Sequence, residues 1–220
     1  MKKKNLFSTG TSLLTIAIMI TVIFIAGCNK KDMNDTGMKT NDNMEKKTDN
    51  SMGMNNSQMM SKSMDNMMGN MHKMKMTGNM DVDYVTMMIM HHQAAIEMSK
   101  TETSSGKDSK VKGLAENITK DQEKEIAAMQ SWLDKNKDKK GTMDNSSKLM
   151  SSMMGMMGEH KMAGDTDKDF LSMMIVHHQG AIDMANVEIK YGTDAEIKKM
   201  AEDVVKKQTA EISQMKEWQK

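Results

Sequence analysis

The sequence predicts an all-α protein: a four-helix bundle made of two duplicated helical hairpins, preceded by a disordered methionine-rich arm. Three observations predict it. The first is an internal repeat, in which Met87-Met88-Ile89-Met90-His91-His92-Gln93 returns about 86 residues later as Met173-Met174-Ile175-Val176-His177-His178-Gln179. The same offset pairs Asp83 with Asp169, Met98 with Met184, Gly106 with Gly192, Glu125 with Glu211, Met129 with Met215 and Trp132 with Trp218, and roughly two positions in five agree over about 54 residues. The second is helical periodicity: Tyr84, Met88, His91, Ala95, Met98 and Glu102 step by four and three, as do Val111, Ala115, Ile118, Gln122, Glu125, Met129 and Trp132. The third is that no segment sustains period-two alternation, so no sheet is expected.

Residues 1–27 read as a lipoprotein signal peptide. Met1-Lys2-Lys3-Lys4 is a positive start, Leu13 to Ile25 is apolar, and Ile25-Ala26-Gly27-Cys28 sets small residues before a cysteine. The apolar run falls short of the roughly 20 residues that a membrane span needs. Cleavage before Cys28 and lipid on its thiol would anchor the chain to a bacterial membrane, outside the cytoplasm. Residues 28–80 read as a tether or arm: Met52-Gly53-Met54, Met59-Met60 and Met67-Met68-Gly69 stand among Asn, Ser, Lys and Asp, with too little apolar surface to fold alone. The spacing of Met60, Met64, Met67, Met71 and Met74 also permits a short amphipathic helix packed on the bundle.

Residues 81–134 form the first hairpin, with Asp83 as N-cap, Gly106 at the C-terminus of its first helix, and Asp108 capping a second helix that runs to about Trp132. Residues 135–166 are a Met-rich linker, long enough for the hairpins to close within one chain or to pair across a homodimer. Residues 167–220 repeat the hairpin with Asp169, Gly192, Asp194 and Trp218 in the same roles.

Composition narrows the function. Formal net charge is +1, and loss of Lys2, Lys3 and Lys4 with the signal leaves a slightly acidic chain, so no nucleic-acid footprint is expected. The cations are lysines without a single arginine, which argues against bidentate recognition of phosphate or carboxylate. Cys28 is the one cysteine, so the mature chain has neither a disulfide framework nor a thiolate metal site. Methionine reaches 33 of 220 residues, and core filling explains methionine inside a helix but not in a polar arm.

The candidate chemistry lies on the first helix of each hairpin. His91 follows Met87 by four residues and Met88 by three, so imidazole and thioethers share one face, and Met98 returns to nearly that angle two turns on. His92 meets Met88 at the i, i+4 spacing but points about 100° away, so His91 is expected to face the interior and His92 the flank. In the second copy His177 goes with Met173, Met174 and Met184, and His178 with Met174. Glu125 and Glu211, odd on an apolar seam, would fix the tautomer of a ligating histidine or else line a partly solvated edge. In the lead-ins, Met71, His72, Met74 and Met76, and Met157, His160 and Met162, form clusters that a mobile segment could wrap around an ion or that could pack as a helix.

Thioether sulfur favours Cu(I), with Ag(I) as its mimic, and neutral imidazole can retain copper as Cu(II). Outside the cytoplasm thiols tend to be oxidised, and methionine is the sulfur ligand that survives. No HExxH or Glu-x-x-His pattern, haem attachment motif or nucleophile constellation is present, so no enzyme is expected.

The stretch Asp-x-Asp-(Tyr/Phe)-x-x-Met-Met-Ile-x-His-His-Gln-x-Ala-Ile-x-Met, at Asp81–Met98 and again, with Gly180 before Ala181, at Asp167–Met184, resembles the signature of the "domain of unknown function 305" family. The resemblance covers both hairpins. It implies a ferritin-like helical bundle and, for the Met-rich exported members, copper binding and copper resistance, with His91, His92, His177, His178 and the preceding Met pairs as binding residues. The expected function is therefore an exported, lipid-anchored protein that sequesters copper or passes it to a donor or acceptor protein. A structural lipoprotein that docks an envelope partner through an adaptable methionine surface is the alternative.

Overall fold

The computed structural model describes residues 54–141, 143–152 and 162–220. The predicted signal, Cys28, Met157 and His160 lie outside the described residues. The described chain contains six helices and no strand: α1 (Asn56–Lys73), α2 (Met80–Ser105), α3 (Ser109–Asn136), α4 (Met143–Ser152), α5 (Thr166–Tyr191) and α6 (Ala195–Trp218), all within one compact unit, Thr48–Lys220. Among the described residues no helix is long and apolar enough to cross a membrane.

The four predicted helices are α2, α3, α5 and α6. Asp108 and Asp194 cap α3 and α6 as expected, each accepting two N–H groups of the first turn. Gly106 and Gly192 end α2 and α5, their N–H groups bonded to the carbonyls of Glu102 and Glu188 at 2.7 Å. The expected N-caps of the first helices are corrected by one turn. Asn79 and Asp165 hold that position, bonding Val82 N and Lys168 N, because their side chains reach the orphan N–H groups first. Asp83 and Asp169 lie buried inside the first turn and point backwards. Asp83 accepts the N–H groups of Thr77 and Gly78, and Asp169 those of Ala163 and Gly164. Both glycines have positive φ, 81° and 77°, a conformation that glycine adopts without steric cost.

The arm resolves one alternative left open by its spacing. From Asn56 it is a helix, started by a capping box in which Asn55 and Gln58 exchange backbone-to-side-chain bonds of 2.9 Å. Met60, Met64, Met67 and Met71 are its buried stripe, with Met74 partly buried at its end. This helix has somewhere to pack because α2 and α5 are the central helices, buried over most of their circumference and covered from several sides. The α3 and α6 helices cover their hairpin partners, while α1 and α4 pack on both α2 and α5.

The middle pair runs antiparallel, locked by reciprocal caps. Asp81, at the start of α2, accepts Thr193 N at 2.8 Å, Thr193 Oγ1 at 2.7 Å and Asp194 N at 2.9 Å beyond the end of α5. Asp167, at the start of α5, accepts Lys107 N and Asp108 N beyond the end of α2. The hairpins therefore close on each other within one chain.

Candidate metal centre

The centre of the α2–α5 crossing is polar although it is buried. His91, His92, His177 and His178 are all 0% exposed. The rings of His91 and His177 stack with centroids 3.6 Å apart and planes 40° from parallel, and the centroids of His177 and His178 are 6.3 Å apart. Neither ring nitrogen of His91 or His177 has a hydrogen-bond partner. Burial, reinforced by the surrounding imidazoles, holds both rings well below the ordinary histidine range. They are neutral at physiological pH and keep a lone pair available.

His92 and His178 depart from the expectation of a flank position: the neighbouring helix covers each and supplies a carboxylate. The Nε2–H of His92 donates to Glu125 Oε2 at 2.8 Å from α3, and that of His178 to Glu211 Oε2 at 2.7 Å from α6. A carboxylate only accepts, so Nε2 carries the proton of this bond, and in the neutral form of the ring the lone pair is left on Nδ1. Both Nδ1 atoms are buried and without partner. Of the two readings of Glu125 and Glu211, the geometry selects orientation of an imidazole. Burial raises the Glu125 carboxyl, but His92 and Lys207 outweigh it and hold the group below its usual range. Lys207 Nζ lies 3.0 Å from Glu125 Oε1 and 2.9 Å from Asp121 Oδ2, which also ties α6 to α3.

The predicted thioethers of Met87, Met88, Met98, Met173, Met174 and Met184 belong to the buried core and are all at most 1% exposed. Among the described residues no three His, Cys, Asp or Glu side chains converge as a metal cluster. Thioether beside imidazole is a donor set that suits soft ions better than hard oxygen-seeking cations.

The lead-in residues are placed differently. Met71 is buried on α1, whereas neighbouring His72 is exposed and donates Nδ1–H to the Met68 carbonyl at 2.8 Å. Met74, Met76 and Met162 are half-buried against the core. The structure thus separates His72 from the central histidines.

Sequence reasoning passed over two residues. Gln122 and Gln208, at matching positions of α3 and α6, are 3% and 1% exposed, and neither their amide oxygens nor their nitrogens have a partner. The available signal was an amide recurring at the same register of an apolar seam. Gln93 and Gln179, next to the histidine pairs, are exposed, with Gln179 bonded to Asp183 at 3.0 Å.

The family model described as "Domain of unknown function (DUF305)" matches residues 28–133 and 81–219. The chain belongs to the DUF305 family. Among solved structures, a DUF305 protein from Streptomyces coelicolor that bears the name of a secreted protein is 29% identical, with TM-score 0.53 over 64% of this chain and 91% of that one. CopM in an Ag-bound form is 32% identical, with TM-score 0.50 over 63% of this chain and 93% of that one. CopM in the Cu(I)-bound form is 32% identical, with TM-score 0.50 over 63% and 94%. No curated protein matches the chain.

Proposed function

We propose that this DUF305 protein binds copper outside the cytoplasm, holding Cu(I), or Ag(I) in its place, at the histidine–methionine centre, and that it sequesters or hands on the ion rather than turning over a substrate. The observation that carries the reading is the set of buried nitrogens without partner on His91, His177, His92 and His178. Buried polar atoms without partner are costly and rare, and a bound ion is one physical reason to keep them. The resemblance to CopM, a protein solved with Cu(I) and with Ag, supports copper as the ion. In this reading cleavage before Cys28 and lipid on its thiol tether the chain to the membrane, and copper tolerance follows from removing free ion.

The test is an anaerobic Cu(I) titration of the chain from Asn29, in competition with a chromophoric chelator. The comparison is a variant with His91, His92, His177 and His178 changed to alanine. The expected result is tight binding that the variant loses in part, with helicity retained and residual uptake by the lead-in methionines. Equal stoichiometry in the two proteins would rule out the central site. Failure of the parent chain to compete would favour an envelope-docking lipoprotein.

A further inference from the structure

The repeat allows each site on one half to be compared with its duplicate, and one place differs in chemistry. A cavity of about 220 Å³ lies where α2, α3 and α6 meet, lined by Tyr84, Glu125, Met129, Met200 and Asp203 with two small apolar residues. Tyr84 and Met129 are buried, and the Tyr84 hydroxyl has no hydrogen-bond partner. Half-buried Met200 and exposed Asp203 bring the cavity to the surface. Glu125, itself 28% exposed, also lines it, and its Oε2 holds the buried His92. The cavity therefore runs from solvent to the partner of a central histidine.

The duplicate lacks this lining. Glu211 and Met215 match Glu125 and Met129, but Phe170 replaces Tyr84, Leu114 replaces Met200 and Asn117 replaces Asp203. The hydroxyl, one thioether and the rim carboxylate are thus all confined to one half of the molecule. Lys199 pairs with Asp203 at 2.5 Å and Lys207 with Glu125 at 3.0 Å, so charge alone would not concentrate hard cations here. Selection falls to the two thioethers, which prefer a soft ion. The flexible Met200 side chain can turn between solvent and cavity without disturbing the helix.

We infer that this cavity is a separate site for a soft monovalent cation, Cu(I) or Ag(I), in which Met200 and Met129 take the ion from solvent and deliver it to the His92 side of the centre. The inference rests on the copper reading above and adds a route and an order: ions reach His92 before His178.

The experiment uses Ag(I) as the probe on the chain from Asn29, which keeps every described residue, labelled with ¹³C-methyl methionine. It is compared with Met200→Leu, a volume-conserving change that installs the residue of the duplicate. The expected result is that the Met200 and Met129 methyl signals move at substoichiometric Ag(I). Met200→Leu should slow transfer of Ag(I) from a chromophoric chelator by on the order of tenfold, as when a supporting metal contact is lost. Final stoichiometry at the histidines should be unchanged. Transfer at the parent rate with both methyl signals still would overturn the route and leave the central site standing. A parent chain that takes up no Ag(I) would overturn both.

Discussion

The inner and outer histidine pairs are equally buried but differently supported. His91 and His177 stack on each other with four nitrogens lacking partners, whereas His92 and His178 each give one N–H to a glutamate from the neighbouring helix. The inner pair is thus a cost to the metal-free fold, and the outer pair is part of its cross-bracing. One stretch of sequence, His-His, serves both purposes because adjacent residues on a helix point about 100° apart.

The strongest way to break this comparison is to replace each pair with leucine. A buried polar group without partner costs about 1–3 kcal/mol, so His91→Leu with His177→Leu should raise the stability of the metal-free chain by that order while weakening Cu(I) binding. His92→Leu with His178→Leu should lower stability, because Glu125 and Glu211 lose their imidazole partners, Glu125 keeping only Lys207. Urea unfolding reads both, and changes of the same sign would dissolve the distinction.

A narrower test leaves the ligands in place. Glu125→Gln with Glu211→Gln should reduce Cu(I) affinity by about 10–100-fold, the usual effect of losing a carboxylate behind a ligating imidazole. Chelator competition measures it, and an unchanged affinity would make the glutamates purely structural.

The ends of α2 and α5 give a comparison of similar size. A Cβ at Gly106 or Gly192 would fall 1.9 Å from the Glu102 or Glu188 Oε1 and 2.7 Å from the same residue's carbonyl. Gly106→Ala and Gly192→Ala should each cost about 1–3 kcal/mol by overpacking, read as a lower urea midpoint.

Those glutamates and the inner histidines also set opposite pH limits. Burial and the facing Asp167 push Glu102 from 4.5 up to about 8, while burial and the facing Asp81 push Glu188 up to about 9. Each folded carboxyl keeps a proton that the unfolded chain releases, so its contribution is complete below 4.5 and is lost as pH rises to about 8 or 9. His91 and His177, held below 6.5, act in reverse: their contribution is present above 6.5 and lost as pH falls. The two trends oppose each other between 4.5 and 6.5, and above 6.5 the glutamates act alone. The melting temperature should fall from pH 6.5 to 9, and Glu102→Gln with Glu188→Gln should flatten that fall. The smallest effect belongs to Lys207→Gln: its side chain is 33% exposed, so losing its pairs with Asp121 and Glu125 should cost at most about 1 kcal/mol.

Much of this arrangement was legible in the sequence. The repeat, the four hairpin helices, the caps at Asp108 and Asp194 and the placement of His91 beside Met87 and Met88 all follow from local spacing. The misplaced caps show where local reading stops: Asp83 and Asp169 have the right chemistry, but it is spent on the loop containing a left-handed glycine. The burial of His92 was not legible because it depends on Glu125, 33 residues away, crossing from another helix. Gln122 was legible only as a seam residue, and its lack of partners, like that of Gln208, was not, because an amide on a seam gives no sign of what faces it.

The sequence by itself determined the four hairpin helices, their duplication and a sulfur–imidazole spacing suited to a soft ion, but not α4 in the linker, because periodicity and ligand chemistry are properties of neighbouring residues. Tertiary structure alone decided that the two His-His pairs meet at one crossing, which nitrogens are left without partners, and that the methionines of α1 belong to the core. Those outcomes depend on how α2 and α5 cross and on the covering of two central helices that are buried over most of their circumference.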